Sequence, residues 1–245
     1  MIKKIIKIIG LGANFPLRDF MGFWISRLAP DFYLELIDGG TYKPRHVDHE
    51  LFTELGKKVT VSKKILQRNF PNLKNIGAIP FYIGEKRSKD FKLAGDLIHD
   101  GDIIFLCVDN DLTKKIILKQ CRWLKNVVIV IGGVDGVDVH ILIYIKIRGV
   151  EITPNPISYD PFIMNPNDQL PAGSDNEECL DEAAKQKPNI FSINIACALM
   201  AGAFYSILAH LEKEIIDQFD TQEIYFNVKK LKMRTVTHQK SLKEA

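Results

Sequence analysis

Gly10-Leu11-Gly12-Ala13 stands directly behind a short apolar run, Ile5 to Ile9, and ahead of residues that recur at helical spacing. At such a turn the first N–H groups of the helix face outward toward an anion, and glycine lets a phosphate approach the backbone closely. The chemistry this predicts is capture of nucleotide phosphates. Asp38 closes the second apolar run, and a carboxylate there can accept hydrogen bonds from both ribose hydroxyls. Plainer explanations exist for each: a Gly-Leu-Gly turn can be only a tight connection, and an acid at a strand end can cap a turn. The third glycine of GxGxxG is absent, Phe15 standing in its place. These residues alone leave an NAD-dependent oxidoreductase and an ATP-dependent adenylating enzyme both open.

The elements that must position them alternate along the chain. After the glycine turn, Pro16, Leu17, Phe20, Met21, Trp24 and Leu28 read as a helix with proline in its first turn. Phe32 to Ile37 reads as a second strand, Lys58 to Arg68 as a helix stopped before Pro71, and Ile76 to Tyr82 as a third strand. Asp102 to Val108 and Val127 to Ile131 are nearly continuous apolar runs, as in strands buried on both faces of a parallel sheet, with a helix from Leu112 to Leu124 between them. Val139 to Ile147 is a more exposed strand suited to antiparallel pairing, and Gln222 to Val228 is a last one. The pattern predicts an α/β fold: a Rossmann-like, mostly parallel sheet with helices on both faces, extended by antiparallel strands. Prolines at 154, 156, 161, 166 and 171 mark a long loop, and the basic stretch from Lys229 to Ala245 reads as a frayed tail.

The register Asp38-Gly39-Gly40-Thr41, His46, His49-Glu50-Leu51-Phe52, Gly56-Lys57-Lys58, Asn69-Phe70-Pro71 and Cys107-Val108-Asp109-Asn110 resembles the ThiF/HesA/MoeB family, the adenylating domain shared with ubiquitin-activating enzymes. The correspondence runs from the first strand to about Asn110. It implies a single domain over residues 1–228, with Gly10, Gly12 and Ala13 in the glycine loop and Asp38 on the ribose. Gly40, His46, His49 and Asn110 would also face the nucleotide. Lys58, rather than Lys57, matches the catalytic lysine, because it keeps the family's spacing to Pro71. Asp109 matches the aspartate that holds Mg2+. A looser match, Cys179-Leu180 with Gln186, Phe191 and Asn194, makes residues 153–188 the crossover loop and Cys179 its possible thioester nucleophile. The implied reaction is ATP-dependent activation of the C-terminal carboxylate of a ubiquitin-like or sulfur-carrier protein, by a homodimer.

This sequence departs from the family at the nucleotide-contacting arginine, where His49 stands, and at the preceding asparagine, where His46 stands. Lys114 replaces the arginine after the Asp-Asn pair. Arginine is a fixed planar cation and histidine is largely neutral near pH 7, so a non-catalytic nucleotide-binding or dimerisation subunit is the alternative reading. Cys107, Cys121, Cys179 and Cys197 contain no CxxC pair, so no structural zinc is expected and reduced thiols in the cytoplasm are the simple reading.

The 245 residues are 46% hydrophobic and 26% charged, which excludes a disordered or disulfide-stapled chain. A net charge of +3 is too small to argue for nucleic acid or a membrane surface. The N-terminal Met1 to Ile9 run lacks a small-residue cleavage site and reads as a strand. The longest apolar run, Ile195 to Ala209, is shorter than the roughly 18 to 20 residues of a membrane span and reads as a buried helix.

Overall fold

The computed structural model describes residues 2–12, 14–43, 54–167 and 190–237. The chain opens with β1 (Ile5–Ile9), α1 (Phe15–Arg27) and β2 (Tyr33–Ile37). Two short pieces, β3 (Thr41–Tyr42) and β4 (Gly56–Lys57), pair antiparallel and lead into α2 (Lys58–Asn69). Then come β5 (Ile76–Ile79), the small parallel pair β6 (Tyr82–Gly84) and β7 (Phe91–Leu93), and α3 (Ala94–Leu97). β8 (Ile103–Leu106) and α4 (Asp111–Cys121) precede a long hairpin of β9 (Val127–Asp135) and β10 (Asp138–Ile147). β11 (Val150–Glu151), a 3-10 turn at Pro156–Ser158 and α5 (Pro161–Met164) follow. α6 (Ile190–Glu212) and a second hairpin, β12 (Glu223–Asn227) and β13 (Lys232–Val236), complete the fold.

The main sheet runs β5-β2-β1-β8-β9-β10-β12-β13, with β11 beside β10. β5 to β9 are parallel, and β10, β12 and β13 join antiparallel. This is the expected α/β fold with its antiparallel extension. Strand order reverses at β1: the chain moves outward from β1 through β2 to β5, then returns to the other side of β1 as β8. In open α/β sheets a ligand crevice forms at such a point, beyond the carboxyl ends of the strands.

Alternation along the strands divides the core in two. Ile6, Ile8, Leu34, Leu36, Phe105, Val128 and Val130 pack with α1, α2 and α6. Ile9, Ile37, Ile104, Leu106, Ile129 and Ile131 pack with α3, α4 and α5. The second face also buries a cation: the Lys7 ammonium meets Glu35 at 3.0 Å and Asp102 at 2.9 Å and donates to the Leu97 carbonyl. A buried charge needs such partners, so this cluster ties β1 to β2 and to the start of β8.

Four expectations change. The third strand divides at Pro80-Phe81 into β5 and β6, because proline cannot donate to the ladder. The 153–173 loop is not wholly irregular: Asn155 and Asp160 cap its two short helical turns, each proline-led. The tail is ordered as far as Val236, because Lys232–Val236 pairs with β12 from Glu223↔Val236 to Asn227↔Lys232. The apolar helix is 23 residues long, enough in length and composition to cross a membrane, and half of its most apolar stretch is buried. Ile193, Ala196, Met200, Ala203, Phe204 and Ile207 lie in the core, where α6 packs across β9, β10 and α1.

Candidate active site

The glycine loop needs its first glycine for two separate reasons. Gly10 has φ +87, a left-handed conformation that side-chain-bearing residues rarely adopt. A Cβ there would also stand 2.8 Å from the Cys107 carbonyl oxygen at the end of β8. The loop therefore lies directly against the strand that leads to Asp109. Asn14 closes it from the helix side, donating Nδ2 to the Gly10 carbonyl at 2.8 Å. α1 starts immediately behind, its positive dipole end toward the loop and Pro16 in its first turn.

Asp38, at the end of β2, is built into this loop. Its Oδ2 accepts the Leu11 N–H at 2.5 Å and its Oδ1 accepts the Gly40 N–H at 2.6 Å. Each oxygen of a carboxylate has more than one lone-pair site, so capacity remains for a further donor such as a ribose hydroxyl. Both readings of Asp38, turn cap and sugar acceptor, are thus compatible in one residue. Below the loop, the Tyr42 hydroxyl donates to the Leu11 carbonyl at 3.1 Å and lies 3.3 Å from Ser62 Oγ, which in turn accepts from Arg18 at 3.2 Å. Arg18 is buried, ion-paired to Asp19 at 2.9 Å, and places a cation under the loop.

Lys58 begins α2 and its N–H donates to the Gly40 carbonyl at 3.0 Å. Its methylenes pass Gly40, where a Cβ would lie 3.4 Å from Lys58 Cε, and its ammonium sits 5.4 Å from the centre of the Tyr42 ring. Lys57 reaches the same turn, donating Nζ to the Gly39 carbonyl at 3.3 Å. Both lysines therefore flank Gly39-Gly40.

Asp109 and Asn110 follow β8 on the same edge of the sheet. Asn110, not Asp109, caps α4: its Oδ1 accepts the Thr113 N–H at 2.8 Å. Asp109 is left exposed at the turn, which suits a carboxylate that binds a cation together with phosphates, since Mg2+ commonly takes one or two carboxylates plus substrate oxygens. Lys114, one turn into α4, pairs with Asp111 at 2.7 Å.

Ala13, His46, His49 and Cys179 lie outside the described residues. Of the other expected site residues, Gly10, Gly12, Asp38, Gly40, Lys58, Asp109 and Asn110 all fall on the carboxyl edge of β1, β2 and β8 or on the turns just beyond it. Five residues of this region escaped the sequence reading: Asn14, Arg18, Tyr42, Ser62 and Tyr82. Tyr82 lies flat against Gly39, and burial and the Asp38 charge push its hydroxyl pKa up, while Lys58 opposes them. An aromatic residue just after a proline-interrupted strand was the available signal.

Beyond β8 the same edge opens into a groove of about 740 Å³. Its floor is made by the ends of β9, β10, β12 and β13, and its wall by α5 and the start of α4, including Asp111 and Lys114. No family model matches the chain, and no curated protein matches it. Solved structures of Escherichia coli MccB do match in fold. MccB with MccA-N7isoASN aligns with TM-score 0.63 at 15% identity over 98% of this chain and 66% of that one. MccB with AMPCPP and MccA aligns at 0.63, 15%, 98% and 65%. The microcin C7 biosynthetic enzyme MccB with N-formylated MccA aligns at 0.64, 14%, 98% and 66%. The chain spans just under two thirds of the MccB chains it matches, and at this identity it shares with them the fold.

Proposed function

We propose that this protein is an ATP-dependent adenylyltransferase of the ThiF/HesA/MoeB type. It would activate the C-terminal carboxylate of a peptide or small protein, of the ubiquitin-like or sulfur-carrier kind, as an acyl adenylate. The observation that carries the reading is the joining of Asp38 to both the glycine loop and the Gly39-Gly40 turn, with the Lys58 side chain passing Gly40. The fold shared with MccB, solved with ATP and with AMPCPP and MccA, supports it.

In this reading the substrate carboxylate attacks the α-phosphorus of ATP and pyrophosphate leaves. No general base is required, because the nucleophile is already ionised. The glycine loop and the start of α1 hold phosphate oxygens, Asp38 fixes the ribose, and Lys58 supplies positive charge to the triphosphate. Mg2+ at Asp109, when bound, neutralises charge on the phosphates. α6 carries exposed Ile190 and Tyr205, the surface by which two copies would associate.

ATP–pyrophosphate exchange in the presence of a carboxyl-terminated carrier is the test. Exchange that Lys58→Ala and Asp109→Ala each abolish supports the enzyme. ATP binding without exchange, for every carrier tried, supports the non-catalytic subunit. A thermal shift with NAD and none with ATP·Mg2+ would remove the adenylation reading.

A further inference from the structure

The floor of the groove is a cross-strand ladder. Gly133, His140, Tyr225 and Arg234 stand directly opposite one another on β9, β10, β12 and β13, and Asp135, Asp138, Asn227 and Lys232 form the next row. His140 stacks on Tyr225 at 4.1 Å between centroids, and the Arg234 guanidinium lies 4.5 Å from the Tyr225 ring centre.

The charges of the groove are engaged unequally. Glu223 is held by His140 at 2.8 Å and Tyr225 at 2.5 Å, and Asp138 by Asn227 at 2.6 Å. Asp160 accepts two helix-cap N–H groups at 3.0 Å, and Asp111 pairs with Lys114. Asp135 and Asp138, facing each other at the hairpin tip, are both exposed. On the opposite rim Lys230, Lys232 and Arg234 are all exposed, with no acid among residues 228–234 and no ion pair to any described carboxylate. An occupant therefore meets acids that are already hydrogen-bonded along the floor and a rim along β13 that carries only cations.

Distance sets where an acidic group must lie. Four strand spacings separate β13 from β8, roughly 19 Å, which an extended chain crosses in about six residues. We infer that the groove takes the extended C-terminal segment of the substrate and that Lys230, Lys232 and Arg234 select acidic side chains about five to seven residues before its terminal carboxylate. This rests on the adenylation reading for the direction of the peptide. The carboxylate points toward Asp109 and the glycine loop, and the acidic residues lie at the outer end.

The test uses the full chain and fluorescein-labelled peptides of about ten residues, neutral except for a pair of Glu, Gln or Lys in that window. Fluorescence anisotropy is read with AMPCPP·Mg2+ present. The Glu peptide is expected to bind about tenfold more tightly than the Gln peptide, the Lys peptide more weakly still, and the preference to shrink as salt rises above about 0.15 M. The variant Lys230→Glu/Lys232→Glu/Arg234→Glu, all surface changes, is expected to reverse the order, and moving the Glu pair to the last two positions to remove it. Equal binding of the three peptides, a preference that survives in the triple variant, or tighter binding of a single-stranded oligonucleotide than of the Glu peptide overturns the inference. ATP·Mg2+ stabilisation is read separately. Its absence removes the adenylation reading, whereas the peptide preference without it still supports an acidic-peptide groove.

Discussion

Asp38 and Leu11 stand 27 positions apart, and the carboxylate of one accepts the backbone N–H of the other at 2.5 Å. With the Gly40 N–H at 2.6 Å on its second oxygen, Asp38 holds two turns of the crevice in fixed relation. Asp38→Asn keeps the shape but presents an NH2 group to one of the two donors. A charge-assisted bond is worth about 1.5–3 kcal/mol, so the variant is expected to lose that order of stability, seen in denaturant unfolding, and to lose its thermal stabilisation by ATP·Mg2+. Retained ATP stabilisation would show that Asp38 acts only on the loop.

Gly10→Ala meets both a left-handed backbone and a carbonyl 2.8 Å from the new Cβ. The two costs together are on the order of 2–5 kcal/mol. Gly136→Ala, at φ +56 with open space around it, carries only the backbone cost of roughly 1–2 kcal/mol. Urea unfolding of the two variants side by side separates strain from overlap.

Lys58→Ala removes a side chain that lies on the Gly39-Gly40 turn, not in the hydrophobic core. Pyrophosphate exchange is expected to fall at least about 100-fold, with Lys58→Arg recovering part of it. Stability measured by thermal melting in the absence of nucleotide is expected to change little, and a collapse of the fold in this variant would mean that the lysine is structural.

The Arg87 guanidinium binds Asp96 through two nitrogens, at 2.9 and 2.6 Å, and this hydrogen bonding holds the Asp96 carboxyl down to about 2 from the ordinary 3.8. Because the folded-state value is depressed, the pair's contribution is present above about pH 4 and is lost as pH falls toward 2. NMR titration of Asp96 is expected to show the low value in the native chain and a return to the ordinary range in Arg87→Ala.

Burial pushes the Cys107 thiol up to about 12 and the Cys197 thiol up to about 11, and raises Cys121 further still. The thiolate is the reactive form, so these three are expected to resist iodoacetamide at pH 8 in the folded protein and to react on unfolding. Mass spectrometry of the labelled native protein is expected to find Cys179 modified first if it is the nucleophile. Prompt labelling of Cys121 or Cys197, both buried in the core, would contradict this expectation.

Much of this protein is local in its sequence and could be read there. Buried strands announce themselves as apolar runs, so Ile5–Ile9, Ile103–Leu106 and the start of β9 were legible, as was the glycine turn behind β1. Lys58 and Asp109 were legible only through their register with a family pattern, since a lysine at a helix start and an acid after a strand are otherwise ordinary. Lys232–Val236 was not legible: four of its five residues are exposed, so no alternation of apolar side chains marks it, and only the ladder to β12 makes it a strand.

By itself, then, the sequence determined the α/β class, the order of the elements around the crevice and the residue types present at its turns. Those follow from short-range patterns of burial and from the special backbone freedom of glycine and proline. Tertiary structure alone decided which group each side chain serves. It gave the cap of α4 to Asn110 and left Asp109 exposed, set Arg18 and Tyr42 beneath the loop, and aligned His140, Tyr225 and Arg234 across three strands. Such pairings depend on strand register and on contacts between residues far apart in the chain, such as His140 and Tyr225, 85 positions apart, and no local pattern encodes those distances.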